Sequence, residues 1–221
     1  MLSDYTLREK QKLYELNNEK LRRRSRTRFY RMFPAEGKFS YDKYPKHIDT
    51  FNMSRRKPIR LVMAGNGVGK TWLGCYETVC HATGIYPDWW EGKRYPNPTK
   101  IIVAGSTTET VRDIIQPKLL GEIGQLGTGM LPGDLIIDTA KRPNSNGGID
   151  YVTVRHITGG QSIIHLKSYE MGQKSFEGFE ADFIWLDEEC KVELFSECVQ
   201  RFRTRDISML LTFTPQKGIS E

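Results

Sequence analysis

A short apolar run, IRLVM at 59–63, opens into Ala64-Gly65-Asn66-Gly67-Val68-Gly69-Lys70-Thr71. Residues 71–83 then read as a helix, ended by Gly84 and Pro87. No other stretch constrains the fold as much. The octet fits the phosphate-loop pattern Gly-x4-Gly-Lys-Ser/Thr, with Ala in the first place. Glycines let successive backbone N–H groups turn inward around phosphate oxygens and form an anion nest. The helix behind the loop aims its N-terminal donors at the same charge. Gly65, Asn66, Gly67, Val68 and Gly69 therefore read as the cradle of a nucleotide triphosphate. Lys70 reaches the β- and γ-phosphates, and the Thr71 hydroxyl is placed to ligate Mg²⁺.

The rest of the chain supplies the sheet such a loop needs. KIIVA at 100–104, ADFIWL at 181–186 and SMLLTF at 208–213 read as buried strands. Residues 151–156 and 163–168 read as two more, joined as a hairpin at Gly159-Gly160. Helices are predicted over 108–120 and 192–201. Thr107 or Thr108 caps the first of these, and Pro117 kinks or stops it. Residues 33–56 read as a connector with short elements, and 121–133 as a glycine-rich excursion. Apolar strands alternating with helices predict an α/β fold, its sheet mostly parallel and covered on both faces.

Two further motifs carry chemistry. FIWLDEE at 183–189 is an apolar strand ending in acids. Asp187 can hold Mg²⁺ through water, and Glu188 can take a proton from an attacking water. The Asp-Glu pair points to a hydrolase that activates water rather than a kinase-like fold. LLTFTP at 210–215 closes the last strand with Thr212 and Thr214, which share one face. One of them is placed to report loss of the γ-phosphate.

Charge divides the chain unevenly. Residues 1–32 hold ten Lys/Arg against four Asp/Glu, while the remainder carries 23 of each, so the net charge of +6 lies in that first segment. Residues 6–24 lack Pro and Gly and read as a helix too sparsely apolar to bury. The division expected is a basic helical appendage at 1–32 and a P-loop ATPase domain at 33–221. Such a segment attracts phosphate backbones or other acidic partners. The competing reading is a lid over acidic groups such as Glu177, Glu180, Asp182 and Glu189. No apolar stretch is long enough for a membrane span, and the N-terminus is no secretory signal. Cys75, Cys80, Cys190 and Cys198 show no CxxC spacing and the four His no metal-binding pattern, so neither zinc nor a disulfide framework is expected.

Taken in order, AGNGVGKT, FIWLDEE and LLTFTP resemble the ATPase half of the large terminase subunit of tailed bacteriophages, over roughly residues 44–218. The resemblance implies a P-loop ATPase fold of the ASCE type, with an extra strand between the two Walker strands. It makes Lys70 and Thr71 the Walker A residues, Asp187 and Glu188 the Walker B pair, and Thr212 to Thr214 the coupling motif. It implies ATP as substrate, Mg²⁺ as cofactor, and translocation of double-stranded DNA into a procapsid in the host cell cytoplasm. Portal and small terminase subunit are the implied partners. The working form is a homo-oligomeric ring, with a monomer in isolation. His47 stands where the family carries an adenine-contacting Gln. The loop lacks the basic residue many terminases hold before Gly-Lys, so an arginine finger or its equivalent comes from elsewhere. Lys174 and Arg203 are the leading candidates, with Arg201 and Arg205 beside them. The family's C-terminal nuclease domain has no counterpart in these residues, so no DNA cleavage is expected of them. Two rivals stay open. A helicase or remodelling ATPase shares both Walker motifs but needs a second lobe. A non-catalytic ATP-binding assembly module would be expected to lack Glu188.

Overall fold

The computed structural model describes residues 6–143, 145–200, 202 and 206–215, without the side chains of 20–26. Helix α1 (Leu7–Arg26) opens on a reciprocal cap. The Thr6 hydroxyl and backbone N–H both donate to the Glu9 carboxylate, at 2.7 and 2.8 Å. Residues 7–17 of α1 are exposed throughout, as expected of a helix with too few apolar positions. Helix α2 (Arg28–Arg31) behaves differently. Its Phe29 is buried against Tyr76, ring centroids 5.2 Å apart. Charge alone divides the chain at residue 32, but the packed core reaches back to Phe29.

A 3-10 turn and helix α3 (Pro45–Met53) lead into β1 (Ile59–Met63), the loop, and α4 (Lys70–Thr83). Then come β2 (Lys100–Gly105), the helical turn α5 (Thr108–Thr110), a π-turn (Val111–Ile115) and α6 (Gln116–Leu119). Thr107 caps this segment, its hydroxyl accepting from Thr110 N–H. Pro117 neither stops nor sharply breaks it. Proline donates no hydrogen bond, and the widened turn just ahead of it takes up the mismatch. Strands β3 (Ile136–Lys141), β4 (Ile149–Arg155), β5 (Gln161–Ser168) and β6 (Phe183–Asp187), helix α7 (Val192–Gln200) and β7 (Ser208–Phe213) complete the described fold.

Among the described residues the strands form one sheet in the order β1-β7-β6-β2-β5-β4-β3. The pairings from β1 through β5 are parallel, and β4 and β3 add antiparallel pairs at one edge. Strand β3, absent from the sequence reading, forms this edge, where IIDTAK needs to bury little. Alternation along β6 sends Phe183 and Trp185 to the α4 side and Ile184 and Leu186 to the α7 side, giving a separate core on each face. Gly74 allows α4 to press onto the sheet. A Cβ there would stand 2.0 Å from the Trp185 ring.

A buried ionic knot fixes the base of the loop. Arg60 of β1 binds Glu77 of α4 in a fork at 2.8 and 3.0 Å. It also donates to Ser208 of β7 and to the Thr50 carbonyl of α3, each at 2.9 Å. Burial pushes the Glu77 carboxyl up, but Arg60 and His81 outweigh it and hold the group below its ordinary value. Breaking such a pair strands a buried charge, so the knot fixes α4 against β1 and β7.

Candidate nucleotide site

The sheet brings the sequence motifs together at the carboxyl ends of β1, β7 and β6. Leaving β1, the chain turns through Gly67 at φ 79° and Gly69 at φ 92°, left-handed conformations that glycine adopts without strain. A Cβ added at Gly65 or Gly67 would meet no atom within 4 Å, so the loop presents its backbone to open space. The Lys70 side chain is almost wholly buried and folds back over the loop. Its Nζ donates to the carbonyls of Ala64 and Gly65 at 2.9 and 2.8 Å.

Strand β7 lies between β1 and β6, and its Thr212 reaches β6 sideways. The Thr212 hydroxyl donates to Asp187 Oδ1 at 2.6 Å and accepts from Trp185 Nε1 at 2.8 Å. Thr71, in the first turn of α4, donates to Asp187 Oδ2 at 3.3 Å. Burial, reinforced by the Glu188 charge, pushes the Asp187 carboxyl up to about 6, against the two hydroxyls that favour its ionised form. A buried carboxylate beside a hydroxyl is a hard-oxygen donor set, which suits Mg²⁺.

Glu188 leaves the strand with φ 69°, a left-handed conformation rare for a residue with a side chain. Its N–H donates to the Thr212 carbonyl at 2.7 Å, and its carboxylate accepts from Thr214 N–H at 3.4 Å. The Thr214 hydroxyl in turn donates to Asn66 Oδ1 in the loop at 3.0 Å. Thr212 and Thr214 thus divide their work. The first, inside the strand, binds Asp187. The second, just past it, joins the loop to Glu188.

Beside the loop lies a cavity of about 480 Å³, lined by Arg28, Phe33, Tyr44, His47, Val68 and Trp72 among others. Arg28 stacks its guanidinium 4.0 Å from the Trp72 ring centre. His47 faces Gly69, whose Cβ, if present, would sit 3.3 Å from its Nε2. Burial holds the His47 imidazole below its ordinary value, against the opposing hydrogen bond to the Val68 backbone. His47 therefore lines the cavity beside the loop. Trp72 and Arg28 are not among the residues the sequence reading singles out. Trp72 directly follows Thr71, which is a local clue, whereas Arg28 reaches the cavity only because α2 folds back.

Lys174 stands exposed on the short turn Gln173–Ser175, and among the described residues no hydrogen bond or ion pair joins it to the loop. Arg201, Arg203 and Arg205 lie outside the described residues.

Residues 61–220 match the family model described as terminase large subunit, T4-like-virus type, N-terminal. The chain is 30% identical over 203 residues to the large terminase subunit of Salmonella phage P22, across 83% of this chain and 41% of that protein. It therefore spans about two fifths of the length of this curated relative. The large terminase ATPase domain of Thermus phage P74-26 superposes with a TM-score of 0.53 at 15% identity, covering 81% of this chain and 70% of that one. The large terminase of another, thermophilic bacteriophage, solved in complex with ADP, superposes with a TM-score of 0.52 at 13% identity, covering 78% of this chain and 38% of that one. The fold is the P-loop ASCE type, with β7 as the additional strand between β1 and β6.

Proposed function

This chain belongs to the terminase large subunit family, and from that premise we propose that it is an ATP-hydrolysing motor domain that drives double-stranded viral DNA into a procapsid. The observation that carries this reading is the convergence of Lys70, Thr71, Asp187 and Glu188, with Thr214 bonded to both Glu188 and the loop. A non-catalytic module has no need of a carboxylate held in that place.

Backbone N–H groups of residues 65–69 and the N-terminus of α4 cradle the phosphates. Lys70 leaves the loop carbonyls and neutralises the β- and γ-phosphate oxygens. Thr71 and Asp187 would hold Mg²⁺, which when bound would supply charge neutralisation for the phosphates. Glu188 accepts a proton from the attacking water as its oxygen bonds to the γ-phosphorus and the bridging oxygen leaves with ADP. The cavity lined by Trp72, Tyr44 and His47 takes the base. Lys174 or Arg203 of a neighbouring subunit in a ring supplies the remaining positive charge. Loss of the γ-phosphate is read by Asn66 and Thr214 and passed along β7, which is the coupling step.

The domain division we propose keeps the basic helix α1 as the appendage, whereas α2, within the charge-based 1–32 segment, packs with the ATPase domain through Phe29 and Arg28. Helix α1, exposed over residues 7–17, is suited to an acidic partner, either DNA or the packaging machinery of portal and small terminase subunit, in the host cytoplasm. A phosphate backbone read without its bases gives contacts that are sequence-independent and salt-sensitive.

The test is ATP turnover with Mg²⁺ and duplex DNA, alongside ADP titration followed by tryptophan fluorescence. Trp72 makes the fluorescence responsive. Turnover stimulated by DNA of any sequence, and falling as salt rises, is the expected result. Saturable ADP binding with no turnover under any condition would favour the non-catalytic module.

The elevated Asp187 carboxyl has a consequence of its own. A carboxyl held above its unfolded value contributes stability at low pH and loses it as pH rises through about 6. Asp187→Asn keeps the hydroxyl contacts and removes the buried charge. In EDTA it is expected to raise unfolding stability by about 2–3 kcal/mol at pH 8 and by far less at pH 4. Urea denaturation at both values checks this. An equal gain at each pH would assign the effect to packing instead.

A further inference from the structure

Glu188 occupies a conformation that a side-chain-bearing residue rarely adopts, and something must hold it there. Alternation along β6 would send the next side chain to the α7 face, with Ile184 and Leu186. The left-handed turn at φ 69° instead brings the Glu188 carboxylate to Thr214 N–H. That carboxylate position is the one on which the proposed water activation depends.

One half-buried donor meets the backbone on both sides of this residue. Tyr169, directly after β5, reaches across the neighbouring strand. Its hydroxyl lies 2.9 Å from the Asp187 carbonyl oxygen and 3.1 Å from that of Glu188. The first oxygen belongs to the peptide plane preceding the Glu188 Cα, and the second to the plane following it. Orienting both planes fixes φ and ψ of Glu188 together. A phenol has a single hydrogen, so it is shared between the two carbonyls. Burial first, and then the acidic groups around it, push the Tyr169 phenol well above its ordinary value, so it stays a donor. The Glu188 N–H bond to the Thr212 carbonyl holds the first plane from its other side.

We propose that Tyr169 is a positioning residue for Glu188, its phenolic O–H holding the left-handed backbone that aims the carboxylate at Thr214 and the loop. This rests on Glu188 as the proton acceptor proposed above. Tyr169 also opens the crossover that carries Lys174, so movement of that crossover acts directly on the Glu188 peptide planes.

Tyr169→Phe keeps the ring and removes only the donor. Its kcat is expected to fall about 10-fold or more, with Mg-ATP affinity within about twofold, because binding does not depend on where Glu188 points. A second measurement needs no activity. Glycine adopts φ 69° without strain, so in a Glu188→Gly background Tyr169→Phe loses the whole hydrogen bond. In the parent chain, relaxation of the strained Glu188 backbone offsets part of that loss. The urea midpoint should therefore shift more in the glycine background than in the parent. Equal midpoint shifts in the two backgrounds would overturn the proposal. So would unchanged kcat in Tyr169→Phe while Glu188→Gln abolishes turnover. If Glu188→Gln itself still turns over, the proton-acceptor role fails, while the larger midpoint shift in the glycine background would still establish the backbone clamp.

Discussion

Glu188→Gln leaves Mg-ATP binding within about twofold and lowers turnover by about 10²–10⁴-fold, the range for loss of a general base. The amide keeps the length and shape of the side chain and can still accept from Thr214 N–H through its oxygen. What it lacks is the ability to take a proton from water at neutral pH. Binding survives because the phosphate contacts come from the backbone of the loop, which leaves β1, and from the N-terminus of α4, and not from the Glu188 side chain. Single-turnover hydrolysis separates this from slowed product release, and nucleotide titration reports affinity. Turnover within twofold of the parent would remove Glu188 from the chemistry and with it the assignment of the acidic motif.

Lys70→Ala acts on the opposite quantity. It removes a buried cation whose Nζ sits over the loop carbonyls of Ala64 and Gly65. Hydrogen bonds to charged groups contribute about 1.5–3 kcal/mol, so Mg-ATP affinity is expected to fall by about 10–150-fold. The fold itself should tolerate the change, since both carbonyls border the open loop and can be hydrated. Calorimetric titration with Mg-ATP and with Mg-ADP distinguishes the phosphates concerned. A greater loss for ATP places Lys70 at the γ-phosphate, and an equal loss places it at the β-phosphate. Unchanged affinity for both would put the nucleotide elsewhere.

Much of the site was legible because its parts are local. A glycine loop between a strand and a helix, or a strand ending in Asp-Glu, can be read from a few adjacent residues. The spacing of Thr212 and Thr214 was legible too, but not their separate duties. Those follow from the end of β7 at Phe213, which puts one threonine inside the strand and the other beyond it. Tyr169 left no sequence signal, because it acts on backbone carbonyls that every residue carries. In the sequence Arg28 is one of the ten basic residues of a segment expected to attract an acidic partner. Its place over Trp72 depends on α2 folding back, driven by the burial of Phe29. Strand β3 escaped because an edge strand with one covered side needs no continuous apolar run. The π-turn ahead of Pro117 escaped because proline's local effect is legible while the way the helix absorbs it is not.

The placement of β7 sets how this sheet answers a mechanical load. The strand is laddered to β1 on one side and β6 on the other, in parallel register over its length. A pull on Thr214 along the strand axis meets both ladders in shear, so β7 cannot slide without dragging its neighbours. The sheet then behaves as a stiff chassis, and compliance is left to the loop at Asn66 and the turn that leaves β6. A displacement begun by a departing phosphate would be delivered at that rim with little lost inside the sheet.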